Sequence, residues 1–191
     1  MTILKHNIYR MNSHFDAINW INGHFQWDNY FKYDELKPVF GFCLLWNIFE
    51  NEQCNKNANP TAILNCVDHA FINNAGSTFQ RKRYTDCLGF FRRRYFSNGE
   101  LSTEDENNNK LLDDFFQNGK GQELRNIVRQ AFARPSPELK IIIHALLLLT
   151  YRVRNNLFHG EKELYKFPRQ VDLFNAINRF LATFLDDIRK C

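Results

Sequence analysis

The most apolar segment of the chain, residues 141–149, leads directly into a polar run. That run contains Arg154, Asn155 and His159. The pattern therefore predicts a buried helix whose last turns carry an arginine, a short amide and an imidazole. Each polar group left without a partner in such a place costs about 1–3 kcal/mol. Arginine prefers phosphate or carboxylate groups, and histidine titrates near neutral pH. An arginine and a histidine together provide the groups needed to cleave a phosphodiester without a metal ion.

The composition favours a helical domain. The chain has 191 residues, which predicts one domain. A hydrophobic fraction of 44% with 19 Phe is enough to fill a core. The 8 Gly and 5 Pro are too few for an all-β sandwich, which needs many turns. The formal charge of +4 is compatible with an acidic partner but does not indicate one.

The cysteines and the apolar runs indicate a cytoplasmic location. The five cysteines are odd in number and no pair has metal-ligand spacing, so we expect reduced thiols. The first residues lack an apolar signal core, and no apolar run approaches the roughly 20 residues of a membrane span. We expect a soluble protein with no membrane association and no bound metal or cofactor, because the histidines outside the polar run are also scattered.

Apolar residues recur three and four positions apart along most of the chain, which predicts an all-α bundle with no strand pair. Ser136 and Pro137 are typical of an N-cap and a first helical turn. The acidic, Asn-rich residues 100–109 are expected to form a solvated loop. The helices are predicted over residues 15–26, 35–54, 61–71, 78–96, 111–116, 124–132, 137–158 and 168–188.

A polar column is predicted along the helix over residues 137–158. At about 100° per residue, the side chains opposite its apolar face form a column. Leu148 interrupts this column, so we expect it to be partly covered. Asn155 and His159 are four residues apart and therefore neighbours. The column contains His144, Tyr151 and Asn155, with Arg152 and Arg154 on its two flanks.

A purely structural role for this run is the alternative. Cations such as Arg154 and His159 gain about 0.3–1 kcal/mol at a helix C-terminus, and Asn155 would then bridge buried groups. Three features favour chemistry instead. The amide directly follows the arginine, the tripeptide Phe-His-Gly closes the run at residues 158–160, and the polar column leads into it.

Residues 154–160, Arg-Asn-Asn-Leu-Phe-His-Gly, resemble the signature of the HEPN superfamily. That signature is an arginine, four to six residues of which the first is polar, and a histidine near the end of a long helix. The aromatic residues 42–50 resemble the early helix of many HEPN domains, and the amphipathic last helix is similar to the one that closes the bundle. We therefore expect one HEPN-like domain over residues 1–191, with residues 1–34 as an extension and 97–135 as an insertion.

The resemblance implies a metal-independent endoribonuclease. Arg154 and His159 would be catalytic and Asn155 would support them. The RNA 2′-hydroxyl would attack the adjacent phosphorus, giving a cyclic phosphate and a 5′-hydroxyl end. Arg154 would stabilise the phosphoryl charge, and His159 would act as acid or base. Further residues expected to bind substrate or support the site are Asn156, Tyr151, His144, Arg152 and Lys162.

A single histidine cannot easily serve as acid and base at once. HEPN ribonucleases commonly work as dimers, so we expect the polar column to line a two-fold homodimer interface. The family also implies a toxin or anti-phage effector held in check by an antitoxin or other regulatory protein. Two other interpretations stay open: a non-catalytic module that binds RNA or nucleotides, and a structural interaction domain.

The densest basic region lies on the predicted helix over residues 78–96. Interleaved aromatic residues fit an RNA platform with stacking rings, or a solvated helix face whose aromatic residues point into the core. The basic residues that we consider for contact with the RNA backbone are Arg81, Lys82, Arg83, Arg92, Arg93 and Arg94.

Overall fold

The computed structural model describes residues 16–26, 30–73, 79–97, 100–101, 121–158, 168 and 170–189. Within these ranges the chain is an all-α fold, as predicted. The helices are α1 (Ala17–His24), α2 (Tyr33–Gln53), α3 (Pro60–Ile72), α4 (Arg81–Tyr95), α5 (Gly121–Ala133), α6 (Leu139–Phe158) and α7 (Val171–Arg189). The predicted helix over residues 111–116 lies outside the described residues.

Helix α6 is the centre of the fold. Its apolar segment is buried, and α3, α4 and α5 pack around it. The helix begins at Leu139 rather than at Pro137. The predicted cap at Ser136 is wrong, because the Ser136 hydroxyl instead accepts a hydrogen bond from the Arg81 guanidinium at 3.2 Å. The Ser136 side chain, which the local sequence predicts as a helix cap, is thus engaged in a tertiary contact instead.

Helices α2 and α7 run side by side in the same direction. The Phe42 ring at the middle of α2 meets the Phe174 ring in the first turn of α7, with centroids 5.6 Å apart. At their C-terminal ends Arg189 donates to both carboxylate oxygens of Glu52, at 2.9 and 3.1 Å. Gly41 lets the helices approach closely, since a Cβ atom there would lie 3.0 Å from the amide nitrogen of Asn178.

Helix α4 packs antiparallel to α7. The Tyr84 hydroxyl donates to the buried Asp187 carboxylate at 2.8 Å, and the Cys87 thiol lies 3.7 Å from the Ala176 carbonyl oxygen. Burial, with this hydrogen bond, raises the pKa of Tyr84 above its usual value, so the phenol stays a donor. Tyr84 and Phe91 are fully buried. The aromatic residues of this helix therefore belong largely to the core.

Two short strands follow α4, although the sequence predicts no strand pair. Strand β1 (Phe96–Ser97) pairs antiparallel with β2 (Glu100–Leu101). The two residues between them in the sequence are Asn98 and Gly99, the dipeptide most typical of two-residue hairpin turns. The prediction read Asn-Gly as the end of a helix and missed the pairing beyond it.

The first helix is held by a side-chain clamp. Asp16 caps α1 by accepting hydrogen bonds from the amides of Ile18 and Asn19, both at 3.0 Å. Buried Asn22 donates to the Phe31 carbonyl oxygen and accepts from the Phe31 amide, each at 3.0 Å. These bonds tie α1 to Phe31, two residues before α2 begins. None of the helices in the described ranges has the length and apolarity needed to cross a membrane.

Candidate functional site

The Arg154 guanidinium lies at the C-terminal end of α6, half-buried with 28% of its side chain exposed. Its Nη1 donates to the Asn155 side-chain oxygen at 3.2 Å. The Phe158 ring lies 5.3 Å from the guanidinium carbon, in cation–π geometry. The Nε atom is buried and makes no hydrogen bond within the described part of the chain. The arginine is therefore held in place while part of its donor capacity remains unused.

Glu50, which the sequence argument did not single out as a site residue, lies opposite this arginine. Its Oε2 is 4.0 Å from Arg154 Nη2 and accepts a hydrogen bond from Trp46 Nε1 at 3.2 Å. Its Oε1 accepts from the Ala58 amide at 3.0 Å. One carboxylate thus joins α2, the loop after it and the end of α6. The signal in the sequence was an acidic residue ending the aromatic segment, four positions after Trp46.

Helix α2 supports the end of α6 along two successive contacts. Trp46 and Tyr151 have ring centroids 6.1 Å apart, and Glu50 faces Arg154 one turn further along both helices. Tyr151 is half-buried here, so its ring helps to position the polar end of the helix. Two predicted residues, His159 and Lys162, lie outside the described residues.

The N-terminal part of the polar column is covered by the chain itself. His144 has 12% of its side chain exposed, and its Nε2 lies 3.1 Å from an Asp68 oxygen and 3.3 Å from the Leu64 carbonyl oxygen. Leu148 is fully buried. Burial lowers the pKa of His144, while Asp68 acts in the opposite direction. His144 therefore packs against α3 and is not brought together with Arg154.

Arg152 and Asn156 point into the protein. Arg152 is 7% exposed and Asn156 is 2% exposed, whereas Asn155 is half-buried beside Arg154. Of the predicted residues on α6, the structure thus brings Arg154, Asn155 and Tyr151 to one accessible end.

Two of the basic residues on α4 are engaged with backbone. Arg81 donates to the carbonyl oxygen of Pro137 as well as to Ser136. Arg92 donates to the carbonyl oxygens of Ala131 and Arg134, at 3.0 and 2.9 Å. These bonds satisfy carbonyl groups where α5 ends, which a helix terminus leaves without partners of its own. The pair ties α4 to the connection between α5 and α6.

The other four basic residues of α4 are placed differently. Lys82, Arg83 and Arg93 are exposed. Arg94 is half-buried, with its guanidinium carbon 5.8 Å from the Tyr95 ring centroid. Of the six basic residues that look alike in sequence, three are therefore exposed, one is partly covered and two are bound to backbone carbonyl oxygens.

The thiols in the described ranges are poor nucleophiles. The free cysteines there are Cys43, Cys54, Cys66 and Cys87. Burial raises the pKa of Cys54 to about 11 and that of Cys66 and Cys87 to about 12. A thiol is reactive as the thiolate, so these groups are protonated and inert at neutral pH. The same ranges hold no cluster of three His, Cys, Asp or Glu side chains suited to a metal ion.

Comparison of the chain with protein-family models, curated proteins and solved structures finds no match. The HEPN resemblance therefore depends on the sequence alone, chiefly on residues 154–160.

Proposed function

We propose that the protein is a metal-independent endoribonuclease of HEPN type, and that Arg154 lies in its active site. The observation that carries this proposal is the arrangement around Arg154. A partly exposed guanidinium stands at the end of a buried helix, held by Asn155 and the Phe158 ring, and the nearest carboxylate within the described residues, that of Glu50, is 4.0 Å away. A close ion pair would have occupied the fork that a phosphate needs.

The chemistry assigned to this site needs two kinds of group. Arg154 would place its donors against the phosphoryl oxygens and stabilise the charge that grows as the 2′-hydroxyl attacks phosphorus. His159 follows five residues later in the sequence. An imidazole is suited to take the proton from the attacking 2′-hydroxyl or to give one to the leaving oxygen at neutral pH. Glu50 would orient the guanidinium without neutralising it at contact distance.

A two-fold dimer would supply a second histidine to the same cleft. Because the His144 end of α6 is covered by α3, we place the dimer surface at the other end, where Phe158 is 55% exposed. Helix α2 contacts that end through Glu50 and carries three exposed apolar side chains on one face, spaced four apart: Phe40, Leu44 and Ile48. Contiguous exposed apolar residues of this kind are typical of interaction sites.

The dimer is tested by sedimentation equilibrium on the wild-type chain and on Leu44→Lys. Leu44 is 68% exposed, so the substitution leaves the monomer core intact. We expect a wild-type dimer, and a monomeric variant that no longer cleaves RNA. A variant that stays dimeric and active would remove α2 from the proposed interface.

A second candidate function is an RNA- or nucleotide-binding module without catalysis. The observation that favours it is Glu50, because a carboxylate near Arg154 gives the guanidinium a structural role that does not require catalysis. The biological role as a toxin or anti-phage effector rests on the HEPN resemblance and belongs to the first candidate.

The deciding experiment is cleavage of total RNA by the purified protein in EDTA, with analysis of the product ends. We expect cyclic phosphate and 5′-hydroxyl ends. Arg154→Ala should lower the rate by about 10²–10³, the cost typical of removing one transition-state donor. His159→Ala should also abolish cleavage. The matched control is Arg134→Ala, which removes an exposed arginine between α5 and α6.

Circular dichroism establishes that the variants are folded. Absence of cleavage by a folded wild-type dimer would favour the binding module. Activity that survives His159→Ala would mean that another group transfers the proton.

A further inference from the structure

A groove of about 1050 Å³ lies between the antiparallel helices α4 and α7. Its volume is slightly above the ~300–1,000 Å³ typical of ligand sites. Its floor contains Cys87, Ala176 and Phe180, and its walls carry charged and amide side chains from both helices. Among the described residues, Arg154, Asn155 and Glu50 of the proposed active site do not line it.

Two exposed arginines line the groove, one from each helix. Arg83 and Arg179 form no ion pair and no side-chain hydrogen bond in the described part of the chain. Other arginines of the fold are committed: Arg189 binds Glu52, and Arg92 binds backbone carbonyl oxygens. Two guanidinium groups in one groove repel each other, and an anion between them would remove that repulsion.

The groove is chemically polarised along its length. Contacts between Tyr84 and Asp187, and between Cys87 and Ala176, fix the antiparallel alignment. This alignment puts Arg83 near the C-terminal half of α7 and Phe90 near its first turns, while Arg179 lies at the middle of that helix. The arginine end includes the Thr183 hydroxyl and one carboxylate, Asp86, so positive charge is in excess there. The opposite end combines the Phe90 ring with Asp172 and Asn175.

This order of groups matches one nucleotide. A phosphate suits the arginine and hydroxyl end, because guanidinium groups bind phosphate oxygens as a fork. An aromatic ring stacks with any base, and an amide or carboxylate pairs with base edges or ribose hydroxyls. We propose that the groove between α4 and α7 binds a nucleotide unit, with its phosphate at Arg83 and Arg179 and its base near Phe90. This site goes beyond the proposed cleavage activity, and it holds whether or not Arg154 cuts RNA.

The test is the affinity for a fluorescein-labelled 2′-O-methyl pentauridylate, measured by fluorescence anisotropy in EDTA. The 2′-O-methyl group prevents cleavage by the adjacent hydroxyl, so binding is measured alone. Arg83→Ala and Arg179→Ala should each weaken binding about three- to tenfold, as expected for one charge-assisted contact at a partly exposed site. Each should also lower the slope of log affinity against log salt by about 0.7.

Arg93→Ala is the matched control, because it removes an exposed arginine from the same helix that does not line the groove. It should change affinity less than either groove variant. Wild-type affinity in both groove variants would overturn the proposal, as would an equal loss in Arg93→Ala, which would indicate diffuse attraction. Phe90→Ala should weaken binding without changing the salt slope, since stacking involves no counterion release.

Competition by uridine 5′-monophosphate identifies the source of the nucleotide unit. Displacement of the probe at similar concentrations of monophosphate and unlabelled oligomer would assign the groove to a free nucleotide. Displacement by the oligomer alone would assign it to an RNA strand. The groove variants are therefore also measured in an Arg154→Ala background, which removes the phosphate contact proposed for the active site. A further loss of probe affinity there reports the groove alone, so loss of cleavage and loss of groove binding are separate results.

Discussion

The two ends of α6 carry polar groups on one helix, yet the fold treats them in opposite ways. His144 is 12% exposed and is held by Leu64 and Asp68 of α3. Arg154, ten residues and about 15 Å further along, is 28% exposed and faces Glu50 of α2. The His144 imidazole is enclosed by protein groups that contact it, whereas the Arg154 guanidinium remains accessible on one side.

The difference shows that helical periodicity predicts which side chains share a face but not what covers that face. His144 and Asn155 lie on the same side of α6 by angle. Helix α3 packs on the first of them, and Leu148 between them is fully buried. A polar column in a sequence is therefore open only where no neighbouring helix has packed on it.

The largest expected effect is at the covered end. Leu148→Ala should lower the free energy of unfolding by about 2–5 kcal/mol, because it leaves a cavity in a fully buried site. Urea denaturation at several protein concentrations measures this. If the loss of unfolding free energy increased as the protein was diluted, Leu148 would lie at a subunit interface. The two ends of α6 would then not differ in the way described.

Next in size is the link at the open end. Glu50→Gln should cost about 1–3 kcal/mol, because one of the donors from Trp46 and Ala58 loses its carboxylate acceptor. It should also lower kcat for RNA cleavage, because Arg154 is no longer oriented. The matched control is Glu52→Gln on the same helix, whose surface pair with Arg189 is worth about 0–1 kcal/mol. Unchanged kcat in Glu50→Gln would make Glu50 structural only.

A smaller effect on stability is expected for Phe158→Ala. The ring is 55% exposed, and its cation–π contact with Arg154 is worth about 0.5–1 kcal/mol at such a site. Thermal unfolding should change little, while cleavage should decrease because the guanidinium loses one of its supports. A large drop in thermal stability would show that this end of α6 is covered after all.

The smallest effect at neutral pH is that of His144. Burial lowers its pKa in the folded state below the ordinary 6.5, so the unfolded chain binds more protons at mildly acidic pH. Stability should therefore decrease as the pH falls from 6.5 through the lower folded pKa. His144→Gln should weaken this dependence in denaturation curves. Equal pH profiles for wild type and His144→Gln would contradict the burial argument.

Helix positions followed from the sequence wherever apolar spacing was regular. The prediction over residues 35–54 lies within two residues of α2 (Tyr33–Gln53), and the one over 124–132 falls inside α5 (Gly121–Ala133). Helix ends were less predictable. Ser136 looked like a cap, but the Arg81 guanidinium from another helix binds it. Local preference is worth about 1 kcal/mol at a cap, and one tertiary hydrogen bond to a charged group can outweigh it.

The basic residues of α4 illustrate the same limit for function. Arg81, Arg83 and Arg92 are indistinguishable in composition and spacing, and all three were considered for RNA contact. In the folded protein, Arg81 and Arg92 bind backbone carbonyl oxygens, whereas Arg83 lines the same groove as Arg179, almost a hundred residues away in the chain. Two residues that are so far apart in the chain and meet only in the fold produce no periodic pattern in the sequence.

The sequence by itself determined the helical class, the buried central helix and the placement of Arg154 and Asn155 at its end, because helical periodicity and burial are local consequences of residue order. Only the tertiary structure decided that α3 covers His144, that Glu50 faces Arg154, and that Arg83 and Arg179 share a groove. The physical reason is that coverage and charge pairing depend on which helices pack together, and that is set by the shape of the whole core.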